Sequence, residues 1–423
     1  MTLQPQPLVI GARILGDLIV LDPEERRRHL YVIGQTGTGK STLLHNLIAQ
    51  DLAAGQGLAL LDPHGDLAEA VLMLIPKSRA NQLVYLNPAD TDRPIGFNPL
   101  SAVPEDLKPI AANEIVGAFK HVWPDSWGPR LDYVLLNAVR ALLDVPGGTL
   151  LMLPRLLIDD PFREQLLHRH VRDPVVRSFW RNEYTGFTTG LRAEAISPIQ
   201  NKIGRVLIEP RLRNMLAQPS STINLRRLMD EGAIVICNIA KGRLGESVSH
   251  LLGALLTSTI AQAALSRADV AVTDRPVFHL YVDEFQSFAT ESFALILSEA
   301  RKYGLTLTMA HQFIEQIPER LRAAVFGNVG SIIACRTGAV DAPILTEQIG
   351  LGGADALLDL PNFAGWGRLL KYGVPTSPVR LDLFPPPAPR RNSPHRLIAT
   401  SRQRFGRPRA AVEQRISQFL LNQ

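Results

Sequence analysis

Cysteine is nearly absent from this chain: there are two in 423 residues, Cys237 and Cys335, each inside an apolar run. Both read as core residues. That argues against a disulfide-stapled scaffold or a thiolate metal site and fits a reducing compartment. No secretory leader is visible, since Met1 to Pro7 is polar and proline-bearing, with no apolar h-region. Long hydrophobic runs are also missing. The most apolar stretch, Leu251 to Leu265, is interrupted by Thr257, Ser258, Thr259 and Gln262, and is expected to be a buried helix rather than a bilayer span. The body of the chain has no charge excess either. From Arg390 to Gln423 there are eight arginines and one acid, Glu413, which leaves 37 basic and 39 acidic residues elsewhere. The net charge of +5 is therefore a property of the last residues. What remains is an ordinary soluble composition, 46% hydrophobic and 20% charged, long enough for two or three domains.

Against that background one stretch stands out. The apolar run Leu30-Tyr31-Val32-Ile33 leads into Gly34-Gln35-Thr36-Gly37-Thr38-Gly39-Lys40-Ser41-Thr42. Beyond it Leu43, Leu44, Leu47, Ile48 and Leu52 recur at helical spacing until Gly55. Strand, G-x-x-x-x-G-K-[ST] loop and helix together are the context of a phosphate-binding loop. Its glycines let backbone N–H groups turn inward around phosphates, and the helix N-terminus adds its positive dipole end. Lys40 is placed for the β- and γ-phosphates and Ser41 for Mg²⁺. The pattern points to a nucleoside triphosphate bound with Mg²⁺.

The chain around the loop reads as α/β. Residues 8–30 form a strand-bearing lead-in, closing on the basic cluster Arg26-Arg27-Arg28-His29, which is most simply a solvated group. A buried parallel strand is expected at Gly57–Leu61, and further strands at Leu83–Leu86, Ala233–Cys237, Val277–Val282, Leu305–Ala310 and Ser331–Cys335. Asp62 and His64 follow the first of these, where ligands gather in open sheets, though a turn with a helix cap accounts for them equally well. Between about 101 and 221 strand signals vanish, helical periodicity takes over, and prolines cut it into short helices. Trp123, Trp127 and Trp180 lie here, with core packing as their simplest role. The expected organisation is a nucleotide-binding sheet from 1–100 and 222–384, an inserted all-α domain at 101–221, and a proline linker with a basic tail at 385–423. Within the tail Val412, Ile416, Phe419 and Leu420 mark an amphipathic helix of weak independent stability. Lys241 and Arg243 sit on what reads as a flexible basic loop.

Hydrolysis needs a held metal, a polarised water and positive charge on the transferred group. Asp283 ends an apolar strand and reads as the acid that holds Mg²⁺. Glu284, next to it, suits the attacking water, and Gln312 ends the following strand, where it could sense the γ-phosphate.

Four segments then carry a resemblance: Gly34–Ser41; Asp62-Pro63-His64-Gly65-Asp66-Leu67; Tyr281-Val282-Asp283-Glu284-Phe285; and Ala300-Arg301-Lys302-Tyr303-Gly304 through His311-Gln312. Together they resemble the HerA/FtsK superfamily of ring motors, and within it the TraD/TraG-type coupling ATPases of conjugative type IV secretion. The resemblance implies a RecA-like P-loop NTPase sheet with an inserted all-α domain, a homo-hexamer, and ATP hydrolysis coupled to DNA translocation. It also implies relaxase or secretion-channel proteins as partners of the helical domain or the tail. Such proteins carry N-terminal transmembrane helices, and this sequence shows none. The expectation is therefore a cytoplasmic protein without direct membrane insertion, recruited to the inner membrane by partners, with a soluble HerA-like DNA-processing motor or a secretion-assembly ATPase acting on protein as alternatives. Coupling ATPases also carry an arginine that reaches the neighbouring subunit's nucleotide. Arg301 stands at the corresponding place here. Arg28 and Arg336 are alternative candidates for that finger, and Arg301 could instead be a simple helix-end charge complementing the dipole.

Overall fold

The computed structural model describes residues 6–13, 16–290, 293–390 and 393–421. The chain divides into two compact units. The first comprises Met1–Leu86, Leu225–Ala240 and Ala263–Thr400; the second comprises Asn87–Asn224, Lys241–Gln262 and Ser401–Gln423.

The first unit is built on an eleven-stranded sheet. Its strands in chain order are β1 (Leu8–Ala12), β2 (Leu18–Leu21), β3 (Leu30–Ile33), β4 (Gly57–Asp62), β5 (Leu83–Leu86), β6 (Ile234–Asn238), β7 (Phe278–Val282), β8 (Leu305–His311), β9 (Ser331–Ala334) and β10 (Ala364–Arg368). A small hairpin, β11 (Leu370–Lys371) with β12 (Val374–Pro375), precedes β13 (Val379–Asp382). Across the sheet the order is β2-β1-β13-β10-β9-β3-β8-β7-β4-β6-β5. From β9 to β5 all neighbours are parallel, so β3, β4, β7 and β8 release their C-terminal residues at one edge. From β9 outward through β10, β13, β1 and β2 the pairing is antiparallel.

The strands β3, β4, β6, β7 and β8 are buried at every residue; β3, β4 and β6 accordingly read as near-continuous apolar runs, while β7 and β8 bury His279, Thr306 and Thr308 among their apolar residues. Helix α1 (Lys40–Ala53) buries Leu43, Leu44, Leu47, Ile48 and Leu52 on one stripe. Each such leucine contributes about 1.5–3 kcal/mol by leaving water. Beyond α1, Gly55 takes φ 76°, the left-handed turn that only glycine adopts without cost. Both cysteines are buried and unpaired.

The second unit is helical. Its longer helices include Lys108–Val122, Pro129–Leu143 and Thr189–Ile208. Trp180 is fully buried between Phe179 and Tyr184, with ring centroids 5.0 and 4.7 Å away, while Trp123 and Trp127 are half-buried. The helix Glu246–Leu265 keeps its polar residues satisfied: Thr257 donates to Gly253 O, Thr259 to Leu255 O, and Ser258 to Glu114 Oε2 at 2.7 Å. Among the described residues this is the one helix long and apolar enough to cross a membrane, and most of its apolar stretch is buried inside the protein.

Three expectations are corrected. The last residues are not a free basic tail: the helices Pro394–Phe405 and Arg409–Leu421 form, and Val412 and Ile416 pack with Leu151 and Ala217. Arg402 is held by Asp90 and Asp92 at 2.6 and 3.0 Å, and Arg409 by Glu413 at 2.7 Å, so part of the positive charge is neutralised locally. Lys241 to Leu244 is a helical turn, not a flexible loop, and Arg243 O accepts from the Arg211 guanidinium. Finally, the cluster before β3 is not simply solvated. Arg26 and His29 are buried, at 5% and 1% exposure.

Candidate nucleotide-binding site

The loop between β3 and α1 lies at the carboxyl edge of the sheet. Gly37 and Gly39 take φ 79° and 114°, conformations that let the chain turn its N–H groups inward. Lys40 closes the loop on itself, its Nζ donating to Gly34 O at 2.6 Å and Gln35 O at 3.1 Å. Burial pulls its pKa down, partly offset by the charges of Glu284 and Asp283.

Topology explains which acids meet this loop. β8 lies between β3 and β7, so residues leaving β8 fall between the P-loop and the acids that follow β7. Ser41 Oγ donates to Asp283 Oδ2 at 3.0 Å. Gln312, just past β8, bridges the two sides: its Nε2 donates to Glu284 Oε1 at 2.6 Å, and its Oε1 accepts from Thr36 Oγ1 at 3.0 Å. The structure thus brings together Lys40, Ser41, Asp283, Glu284 and Gln312. Glu284 adopts φ 50°, rare for a residue with a side chain, in the turn that aims its carboxylate back at Gln312.

Asp283 is 4% exposed. Burial, then the negative charges of Asp62 and Glu284, pushes its carboxyl up to about 6, against the pull of Ser41 and Lys40. The carboxylate that meets the P-loop is Asp283, through Ser41. Among the described residues no group of three or more His, Cys, Asp or Glu is arranged to hold a metal alone. That fits magnesium, which keeps most of its waters and takes one or two protein ligands plus phosphate oxygens. Ser41 and Asp283 are the residues placed for it.

Asp62 turns out to be the cap. Its two oxygens accept from His64 N and Ala68 N, both at 2.8 Å, fixing the start of helix α2 (Asp66–Leu72), while its charge acts on Asp283. The His64 side chain is exposed and joins none of these bonds.

Arg301 is not brought to this chain's loop. It precedes β8, at the opposite edge of the sheet, where with burial it helps hold His29 down to about 4. The seven residues of β8 separate that edge from Gln312 by roughly 20 Å. Arg28 sits at the same far edge, its carbonyl accepting from Gly330 N. Arg336 is near the loop: its carbonyl accepts from Gln35 N at 2.8 Å, and its guanidinium donates to Leu360 O and Asn362 Oδ1. Two site residues are not apparent from sequence. Gln286 donates to Glu284 Oε2 at 2.5 Å, a contact visible in sequence only as an amide two residues on. Phe363 donates its N–H to Thr38 O in the loop at 2.9 Å, across 325 residues of chain that carry no local signal.

Residues 16–116 match the family model described as the central domain of the helicase HerA. No protein of curated function matches the sequence. Among solved structures, the bacterial conjugative coupling protein TrwBdeltaN70 in its unbound form superposes with a TM-score of 0.64 at 15% identity, covering 93% of this chain and 92% of that one. TrwB in complex with ADP and Mg2+ gives the same values. VirB4 of Thermoanaerobacter pseudethanolicus gives a TM-score of 0.59 at 14% identity over 91% of this chain and 98% of its own. The fold is therefore the RecA-like P-loop fold of those proteins.

Proposed function

We propose that this chain is a magnesium-dependent ATPase whose turnover drives DNA translocation by a homo-hexameric ring, in the manner of conjugative coupling proteins. The observation that carries the hydrolytic part is the Ser41–Asp283 pair beside Lys40, with Glu284 steadied by Gln312. Lys40 would hold the β/γ-phosphate charge, while Ser41 and Asp283 would hold the metal. Magnesium held there would supply positive charge against the phosphate oxygens. Glu284, fixed by amides on both oxygens, orients the attacking water, and Gln312 links that carboxylate to Thr36 in the loop, so it registers whether the loop is engaged. The DNA and ring parts rest on the likeness to TrwB, a conjugative coupling protein.

The charge on the transferring phosphoryl group calls for a permanently ionised planar donor. Lying at the far edge of its own sheet, Arg301 is assigned that role toward a neighbouring copy. The helical unit is assigned to relaxase or secretion-channel proteins, and the complex to the cytoplasmic face of the inner membrane.

The test is ATP turnover of the purified chain with Mg²⁺, alone and with single-stranded or duplex DNA. Turnover should appear, vanish in Lys40→Ala, and rise with DNA. Absence of turnover in every condition overturns the ATPase reading. Turnover that ignores both DNA forms removes DNA and favours a motor acting on protein. Mixing Lys40→Ala with Arg301→Ala chains should restore part of the rate; shared rings without recovery overturn the assignment of Arg301.

A further inference from the structure

The antiparallel flank of the sheet delivers an aromatic ring to the phosphate loop. Phe363 immediately precedes β10 and is held there by two backbone bonds of its own and one across it. Its N–H donates to Thr38 O at 2.9 Å, Leu383 N donates to its carbonyl at 2.7 Å, and Ala364 N reaches back to Pro361 O at 3.4 Å. The ring lies against the last glycine of the loop: a Cβ on Gly39 would come within 3.0 Å of Phe363 Cδ1 and 2.9 Å of Leu383 Cδ1. Yet 47% of Phe363 is exposed, and its backbone sits at φ 62°, a left-handed conformation that a residue with a side chain adopts at a cost. A large apolar side chain held in a strained turn, half in water and against the glycine that precedes Lys40, is not explained by packing. The surroundings are anchored as well. Arg336 fixes Asn362 through Oδ1 at 2.8 Å, and Asn46 of α1 donates to Phe384 O and Pro385 O at 3.0 and 3.1 Å, tying the end of β13 to the helix.

Resting on the reading of the loop as a triphosphate site, we propose that Phe363 is the stacking platform for the nucleotide's base, with Asn362 and Arg336 at its rim. The phosphates would be held by the loop and the purine by the flank of the sheet, so the two halves of one ligand are bound by parts of the chain about 325 residues apart. Base–aromatic stacking accepts any π-face, so the platform provides affinity for purine nucleotides without selecting adenine over guanine.

The experiment compares binding of Mg-ATP, Mg-GTP and inorganic tripolyphosphate, which carries the charge but no base, to wild type, Phe363→Ala, Phe363→Leu and Phe363→Tyr by calorimetry. Phe363→Ala and Phe363→Leu should weaken ATP and GTP about tenfold to a hundredfold. Tripolyphosphate affinity should stay within about twofold of wild type in every variant, and Phe363→Tyr should keep wild-type affinity for all three ligands. The leucine variant separates loss of the ring from loss of packing against Gly39. Equal weakening of tripolyphosphate and ATP would show that Phe363 only shapes the loop and would overturn the proposal, as would unchanged ATP affinity in Phe363→Leu. A wild-type chain that binds neither ATP nor tripolyphosphate would instead sink the triphosphate reading itself.

Discussion

Ser41 and Asp283 are 242 residues apart in sequence and share a 3.0 Å hydrogen bond. One lies in the first turn of the helix after β3, the other follows β7, and β8 lies between those strands. A hydroxyl and a carboxylate meeting this way make a site that is already aligned before a metal arrives, and its cost shows in the protonation of Asp283.

That cost sets a pH-dependent stability. In the folded chain the Asp283 carboxyl keeps its proton up to about 6, whereas the unfolded value is near 3.8. Between these pH values the folded state binds more protons than the unfolded one, so stability falls as pH rises through the window and stays lower above it. Asp283→Asn removes the penalty. In the absence of nucleotide it should melt above wild type at pH 7.5, by an amount bounded at about 3 kcal/mol, with the advantage gone below about pH 4. Thermal melts across pH 4 to 8 check this. A variant less stable than wild type at pH 7.5 would show that the Ser41 bond outweighs the burial of charge.

A substitution at Glu284 tests whether binding and turnover separate. Glu284→Gln replaces one acceptor oxygen with an amide that faces the donating amides of Gln286 and Gln312, and it cannot polarise water. ATP affinity should stay within a few-fold while turnover drops at least about a hundredfold, the range a positioned general base supplies. Single-turnover kinetics beside equilibrium binding make the comparison. Wild-type turnover in this variant would mean that another residue orients the water.

Much of the site was legible because its residues end buried strands. β3 into Gly34–Ser41 and β7 into Asp283-Glu284 announce themselves as mostly apolar runs stopped by polar residues, and there burial on both faces leaves the break as the signal. β8 keeps an alternation of Leu with Thr before it stops at His311 and Gln312, although every residue of it is buried. What escaped depends on pairing between distant segments. Nothing near Phe363 hints that antiparallel pairing of β10 with β9 and β13 carries it to Thr38. The basic count after Arg390 misled for a related reason: charge composition cannot show that Asp90 and Asp92 already face Arg402.

The C-terminal helix is a structural part of the helical unit. Ile416 is 6% exposed and packs with Leu151, Ala217 and Val412. Ile416→Ala should cost about 2–5 kcal/mol, the range for truncating a buried isoleucine, and Ile416→Asp more, since it buries a carboxylate. Urea unfolding followed by tryptophan fluorescence would report it, with Trp180 as a probe within the same unit. A loss below about 0.5 kcal/mol, typical of a surface site, would return this segment to the status of a tail.

The last prediction concerns a charge cluster beneath the site. Arg26 donates to both oxygens of Asp51 at 2.6 Å, and the Tyr281 hydroxyl joins them, accepting from Arg26 at 2.7 Å and donating to Asp51 at 2.6 Å. Asp51 and Arg26 are 2% and 5% exposed, and Tyr281 is fully buried. Asp51 belongs to the last turns of α1, and Tyr281 stands two residues before Asp283, so this cluster locks the P-loop helix to the acid strand. His279 adds no charge to the cluster. Its imidazole, 4.0 Å from Asp51, is pushed down to about 3 by burial and then by Arg26, and stays neutral with Nδ1 bonded to Thr306 Oγ1. Asp51→Asn therefore strands a buried guanidinium without its counter-charge and should cost about 3–5 kcal/mol. Tyr281→Phe removes one shared hydroxyl and should cost about 1.5–3 kcal/mol. Replacing both charges, Arg26→Leu with Asp51→Leu, should recover most of the stability lost by Asp51→Asn, because the desolvation of two ions disappears with them. A double-mutant cycle by chemical denaturation measures all three. If Asp51→Asn costs less than about 1 kcal/mol, the range of an exposed pair, then water reaches the cluster and it does not hold the helix to the strand.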